Sequence, residues 1–246
     1  MPRVRADVLL VERGLAQTRE RARQLIMAGR ARVGTTTLIK PATMLDPSAP
    51  IVVVESERYV SRGGLKLEAA LDTFEIDVSG LRCLDLGAST GGFTDCLLQR
   101  GAASVVAVDV GRAQLHQKLR NDPRVTLMEG VNARDLPELP PIDFFVGDLS
   151  FISLRKVLPS VARRVPRGTS GVILFKPQFE AGPADVPRGG VIRDDAVRTR
   201  VLEEFLGWAR EQRWIVRDRI ESPVRGGSGN IEFLLHVASP AEEPSC

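Results

Sequence analysis

The stretch Leu81-Arg-Cys-Leu-Asp-Leu-Gly-Ala-Ser-Thr-Gly-Gly-Phe-Thr94 constrains this chain more than any other. An apolar run carries the acid Asp85 and breaks at Gly87, and after Gly91-Gly92 a helical pattern continues to about Arg100. Glycine at such a break permits a tight strand-to-helix turn and lets a ligand lie against bare backbone. A second apolar run, Ser104-Val-Val-Ala-Val-Asp109, ends in another acid. It falls about twenty residues on, the position that grips ribose hydroxyls in nucleotide-binding α/β folds. The dinucleotide pattern G-x-G-x-x-G is missing, because Ala88, Ser89 and Thr90 separate Gly87 from the next glycine. A ligand with ribose and adenine but no pyrophosphate fits better, so S-adenosylmethionine is expected rather than NAD. A purely structural glycine turn is the competing reading.

The rest of the chain repeats the alternation. Strands are expected at 104–109, 125–128, 142–148 and 171–176, with helices at 61–71, 152–165 and 194–212 between and after them. That order predicts an α/β, Rossmann-like sheet, closed by an antiparallel pair at 214–220 and 230–237. Pro159 is expected to break or bend its helix. Residues 177–193, rich in Pro and Gly, read as a loop able to close over substrate. Phe151 reads as core, the alternative being an aromatic that stacks on a flipped base.

Charge is distributed unevenly. Residues 1–40 hold nine Lys and Arg against three acids, although the whole chain carries only +3. Five of them (Arg19, Arg21, Arg23, Arg30 and Arg32) crowd into fourteen positions, a cluster suited to phosphates or, more plainly, to a solvated helix face. Helices are expected at 6–16 and 19–28, the second capped by Thr18 with Ala22, Leu25 and Ile26 inward, followed by a small sheet. The pattern R-x-D-x-x-L-x-x-x-G-L-x-x-T-R-x-x-A-x-x-x-I-x-x-G over residues 5–29, continuing to 54, resembles the small α+β RNA-binding module named after the fourth small-subunit ribosomal protein. The resemblance implies RNA contacts from Arg5, Arg19, Arg23, Arg30 and Arg32, to which Arg62 is added. Such modules read RNA shape and phosphate. The expected division is an RNA-binding domain at 1–54, a linker at 55–60, an α/β domain for the S-adenosylmethionine ligand at 61–238 and a polar tail at 239–246.

No run of eighteen apolar residues and no charged-then-apolar leader is present, so a cytoplasmic protein without a membrane contact is expected. Cys83, Cys96 and Cys246 lack metal-ligand spacing, and with His116 and His236 the only histidines, no protein-built metal site is expected.

Four ionisable residues stand at element ends: Lys66, Asp148, Lys176 and Glu232. Ligands of open α/β sheets lie beyond the carboxyl ends of the parallel strands, so all four are expected beside the Gly87 turn. The motifs SRGGLKL, LDLGASTGGFTD, VDVGRAQL, GDLSFISL, LFKPQFE and GNIEF resemble the TlyA (haemolysin A) family of ribosomal RNA 2′-O-methyltransferases, whose catalytic domain is similar to the FtsJ type. The resemblance implies a Lys-Asp-Lys-Glu tetrad at those four positions. It also implies methyl transfer from S-adenosylmethionine to a ribose 2′-hydroxyl, typically of cytidine in 23S or 16S rRNA. Lys176 would accept or relay the proton, Asp148 would orient Lys176 and the sulfonium, and Glu232 and Lys66 would position the hydroxyl and neighbouring phosphate. Gly87, Ser89 and Gly91 would contact the methionine moiety, Asp109 the ribose and Asn132 the adenine. Asp85 is either a cofactor contact or a turn-stabilising carboxylate. The competing classes are a non-catalytic rRNA-binding protein and a haemolysin. A base methyltransferase is disfavoured, because Asp148-Leu-Ser-Phe151 offers no N/D-P-P-Y clamp.

Overall fold

A computed structural model describes residues 3–27, 29–53 and 58–241. Residues 55–57 of the expected linker, residue 54 of the first domain, Ala28 of the second helix and residues 242–246 of the tail lie outside the described residues. The chain divides into two units, Met1–Glu57 and Arg58–Cys246.

In the first unit, β1 (Val4–Arg5) pairs antiparallel with β4 (Met44–Leu45). Helices α1 (Ala6–Glu12) and α2 (Arg19–Met27) pack on an antiparallel sheet of β3 (Thr36–Leu38), β2 (Ala31–Val33) and β5 (Ile51–Val53). Their shared core includes Leu9, Leu10, Ala22, Leu25, Ile26, Leu38 and Ile51. Helix α1 stops short of the expected residue 16. Gly14 takes φ +68° and the Leu15 N–H turns back to the Leu10 carbonyl, a glycine-terminated helix end that leaves Leu15 exposed. Thr18 caps α2, its Oγ1 accepting from Arg21 N at 3.1 Å.

The second unit is built on a seven-stranded sheet in the order β11-β12-β10-β9-β6-β7-β8. Strands β6 (Arg82–Leu86), β7 (Ser104–Asp109), β8 (Val125–Glu129), β9 (Phe144–Gly147) and β10 (Ser170–Phe175) run parallel. Strand β12 (Phe233–Ala238) lies antiparallel between β10 and β11 (Ile215–Glu221). The central strands read as apolar runs, with Asp85 inside β6 the exception, because both faces are covered. One face packs against α3 (Gly63–Thr73) and α4 (Gly92–Gln99) through Leu67, Leu71, Phe93 and Leu97. The other packs against α6 (Leu154–Arg164) and α8 (Asp195–Glu211) through Val157, Val161, Val201 and Phe205. A short α5 (Gln117–Arg120) precedes β8. Strand order reverses between β6 and β9, and a sheet of this kind opens its ligand crevice at that switch. Gly87 and Asp148 leave the sheet there.

Three expectations are corrected. Helix α6 runs through Pro159 without interruption. Proline removes one backbone donor, but Val157, Leu158 and Val161 around it are buried and Ser153 caps the helix start, so packing and capping hold it together. The segment after β10 is not simply loop: it opens with α7 (Pro177–Glu180), with Pro at a first-turn position. Its far end is pinned rather than free, since the Asn230 side chain accepts from Ile192 N (3.0 Å) and donates to Gly190 O (2.8 Å), while Arg198 donates to Ile192 O (2.7 Å). Residues 58–60 pack within the second unit: Tyr59 is buried, and Val60 N donates to Asp95 Oδ2 at 2.9 Å. Cys83 and Cys96 are buried, and desolvation pushes both thiols up to about 12.

Candidate active site

Lys66, Asp148, Lys176 and Glu232 all line one cavity of about 320 Å³. Lys66 lies in the opening turn of α3, where the helix dipole disfavours a cation. It is buried, and its Nζ donates to Glu232 Oε2 at 2.6 Å. Glu232 just precedes β12 and lies against Gly226. A Cβ at Gly226 would stand 2.5 Å from Glu232 Oε1, so any other residue would push the carboxylate off its seat. Lys176, at the end of β10, approaches Asp148 Oδ1 at 2.6 Å and donates to Ser150 Oγ at 2.9 Å. Burying Lys66, Lys176 and Glu232 singly would cost several kcal/mol per ion; pairing with each other and with the partly exposed Asp148 offsets it.

A second cleft, of about 980 Å³, is lined by Gly87, Ser89, Asp109, Asn132, Asp148 and Phe151 among others. Gly87, Ser89, Asp148 and Ser150 line both, so the two spaces meet at the strand-order switch. Gly87 has φ +80°, and a Cβ there would sit 2.7 Å from the Asp148 carbonyl oxygen. Only glycine permits these two backbones to approach so closely. Asp109 is held ready: Oδ2 accepts from Ser89 N and Oδ1 from Gly111 N, both at 2.7 Å. Each carboxylate oxygen keeps a second lone pair for a ribose hydroxyl. The Asn132 oxygen accepts from Arg134 N at 3.1 Å, leaving its NH₂ without a hydrogen bond among the described residues. The donor set and the glycine floor fit an adenosine-bearing ligand.

Asp85 and Gly91 do not line either cleft. A Cβ at Gly91 would point at Leu115 and Leu119, so its bare face serves packing; Gly92 lines the cavity instead. Asp85 lies fully buried beneath the turn, with Oδ2 accepting from Thr94 Oγ1 at 2.6 Å and Oδ1 unpartnered. Burial pushes its carboxyl up to about 7; the Thr94 hydroxyl opposes this and Asp148 adds to it. The folded protein therefore holds this proton where the unfolded chain has released it. The associated stability is complete below the ordinary carboxylate range and is lost as pH rises through about 7. Between pH 4 and pH 8, wild type should lose about 4 kcal/mol that Asp85→Asn does not. Denaturant titrations of both proteins without cofactor check this, and parallel pH curves would refute it.

Several residues here escaped sequence reading. Ser150 accepts from Lys176, as above. Glu180, buried, accepts from Ser153 Oγ (2.7 Å) and from Leu154 N at the start of α6, so α7 is bolted to the segment after β9. Desolvation raises the Glu180 carboxyl, with these hydrogen bonds and Arg155 opposing. Phe151 is corrected outright. It is 92% exposed, with φ +62°, and its ring meets Phe179 at 5.2 Å. The only sequence signal for Glu180 was its place in the LFKPQFE motif.

In the first unit the arginines divide. Arg5 and Arg19 both donate to the buried Asp7, at 2.9 and 3.1 Å. Arg23, Arg30 and Arg32 make no ion pair or side-chain hydrogen bond among the described residues, and Arg23 and Arg32 are exposed. In the second unit Arg62 rims the tetrad cavity.

Comparison with known proteins gives the same two-part picture. Residues 59–238 match the FtsJ-like methyltransferase family and residues 4–51 the S4 domain. The 16S/23S rRNA (cytidine-2′-O)-methyltransferase TlyA of Mycobacterium tuberculosis is 50% identical, over 98% of this chain and 91% of its own length. Hemolysin A of Brachyspira hyodysenteriae is 41% identical, over 95% and 99%. A solved structure of a protein named as a hemolysin, from Streptococcus thermophilus, superposes with TM-score 0.73 at 42% identity, over 98% of this chain and 90% of that one. Among the described residues no helix is long and apolar enough to cross a membrane.

Proposed function

This chain belongs to the TlyA family of FtsJ-like rRNA methyltransferases, and from that premise we propose how its cleft methylates a ribose 2′-hydroxyl of ribosomal RNA. It is an S-adenosylmethionine-dependent rRNA 2′-O-methyltransferase. The observation that carries the residue assignment is the pair of 2.6 Å lysine–carboxylate contacts in a cavity that opens onto the adenosine-type cleft.

When bound, S-adenosylmethionine supplies an electrophilic methyl on a sulfonium. Asp109, Asn132 and the Gly87–Ser89 turn are the residues to hold it. A ribose hydroxyl is a weak nucleophile, so it must be aligned and relieved of its proton. Lys66 and Glu232 orient the hydroxyl, and alignment of the two reactants supplies much of the acceleration. Lys176 accepts the proton or relays it to solvent, steadied by Asp148 and Ser150. The acceptor is a cytidine of 16S or 23S rRNA, presented by Arg23, Arg30 and Arg32 of the first unit, and the setting is the cytoplasm, where ribosomal subunits are. The test is labelled-methyl transfer to unmodified rRNA, followed by mapping of ribose methylation. Label on a base, or no label at all, would overturn the reading.

Phe151 offers an exposed ring beside Asp148, suited to stack on the base of a nucleotide turned out of its helix. Base–aromatic stacking contributes about 1–3 kcal/mol. Phe151→Ala should therefore weaken productive RNA binding about tenfold while leaving cofactor affinity in place. Calorimetry with cofactor and steady-state RNA titration separate the two; an unchanged RNA KM would remove Phe151 from the site.

A further inference from the structure

The tetrad cavity is lined by six charged side chains: Arg62, Lys66, Asp148, Lys176, Arg225 and Glu232. The two lysines and two carboxylates pair with each other at 2.6 Å and cancel. Arg62 and Arg225 are left over, giving the cavity a surplus of two positive charges. Both side chains are exposed, and neither makes an ion pair or side-chain hydrogen bond among the described residues. Elsewhere in this unit arginines commonly find a carboxylate, as Arg82 does with Asp143 and Arg200 with Asp185.

Arg225 is also presented by a braced turn. It lies in the connection from β11 to β12, where Ser222 N donates to Glu232 O (2.8 Å), Gly226 N to Asn230 O (3.0 Å) and Gly229 N to Gly226 O (2.8 Å). The Asn230 side chain fixes this turn to Gly190 and Ile192. The same turn carries Gly226, the seat of Glu232. The backbone that carries Arg225 is thus fixed next to the seat of a tetrad carboxylate. Arg62 comes from the start of α3, four residues before Lys66.

We infer that Arg225, together with Arg62, forms a phosphate subsite that grips the phosphodiester groups flanking the ribose to be methylated. This rests on the reading of the cavity as the site of 2′-O-methylation. A 2′-hydroxyl adjoins the 3′-phosphate of its own nucleotide, so an RNA strand that delivers the hydroxyl to Lys176 also brings phosphate oxygens to the cavity rim. Lys66 is committed to Glu232, which leaves the arginine forks as the phosphate ligands; guanidinium geometry suits bidentate contact with such oxygens. The subsite places the strand by its backbone and reads no base.

Arg225→Ala is tested in the full-length enzyme, with Arg217→Ala on the exposed edge strand β11 as a control that removes the same charge elsewhere. Methyl transfer is followed against RNA concentration at several salt concentrations, and S-adenosylmethionine affinity is measured separately. The expected result is an RNA KM about tenfold higher and a log–log salt slope shallower by about one, with kcat changed much less. Arg217→Ala should leave the slope as in wild type. An unchanged KM and slope for Arg225→Ala would overturn the inference, and so would an equal effect of Arg217→Ala, which would make it bulk charge. A main loss in cofactor affinity would also overturn it, assigning Arg225 to the methionine carboxylate. Failure of wild type itself to methylate ribose would instead strike the underlying reading.

Discussion

Replacing Lys176 with methionine is expected to lower methyl transfer by a factor on the order of 10²–10⁴, the range that a positioned proton acceptor contributes, while cofactor affinity stays near wild type. Methionine keeps the length and apolar stem of lysine, so packing beside Phe179, 5.7 Å from the ammonium, is retained. The variant leaves Asp148 without its cation, but that side chain is 24% exposed and water can replace the lost partner. The residues expected to hold the cofactor, Asp109, Ser89 and Asn132, stand on other strand ends. Lys176→Arg sharpens the test. Arginine keeps the positive charge beside Asp148 but stays protonated in proteins, so it can orient and cannot accept. If Lys176 handles the proton, the arginine variant should be as slow as the methionine variant. Turnover restored by arginine would reduce Lys176 to an electrostatic post, and turnover unchanged in both would remove it from the chemistry. Single-turnover rates at saturating RNA make the comparison independent of binding.

The parts of this site that were legible in the sequence are those tied to strand ends. Gly87, Asp109, Asp148 and Lys176 each close or follow an apolar run, and in a parallel sheet such ends share one edge. Their convergence therefore follows from the period of the pattern and the α/β class. Phe151 carries no such signal. It lies among Leu149, Ile152 and Leu154 and reads as one more apolar residue; only its left-handed backbone, φ +62°, turns the ring outward. Glu180 was hidden in the other direction. A buried carboxylate capping α6 is a tertiary fact, and its surroundings in sequence, rich in Pro and Gly, describe a loop. Asn230 is similar: its amide joins two turns distant in the chain, about which local spacing says nothing. The arginines of the first unit show the limit of counting charge. Five crowd the second helix and its surroundings, yet nothing in their spacing marks Arg19 as a partner of Asp7 rather than of RNA.

That partnership should decide whether the first unit stands at all. Asp7 is fully buried in α1 and accepts from both Arg5 and Arg19. The Arg5 guanidinium, with Arg19 adding and burial opposing, holds the Asp7 carboxyl down to about 2. The stability this supplies is present above the ordinary carboxylate range and is lost as pH falls through about 2. Its size is about 2 kcal/mol. Asp7→Ala removes that contribution and also leaves a gap at a fully buried position. A loss of about 3–4 kcal/mol is expected, somewhat less than for a wholly buried ion pair, because both arginines reach solvent. Modules of this size bury little apolar surface and have little stability in reserve. Asp7→Ala should therefore unfold the first unit at moderate temperature and abolish its RNA affinity, while the second unit still binds S-adenosylmethionine. Two variants separate scaffold from contact. Arg23→Ala and Arg32→Ala should weaken RNA binding without moving the unfolding transition, whereas Arg19→Ala should move it. A first unit that melts as wild type after loss of Asp7 would show that the carboxylate is dispensable, and would return Arg5 and Arg19 to the set of cations available for phosphate.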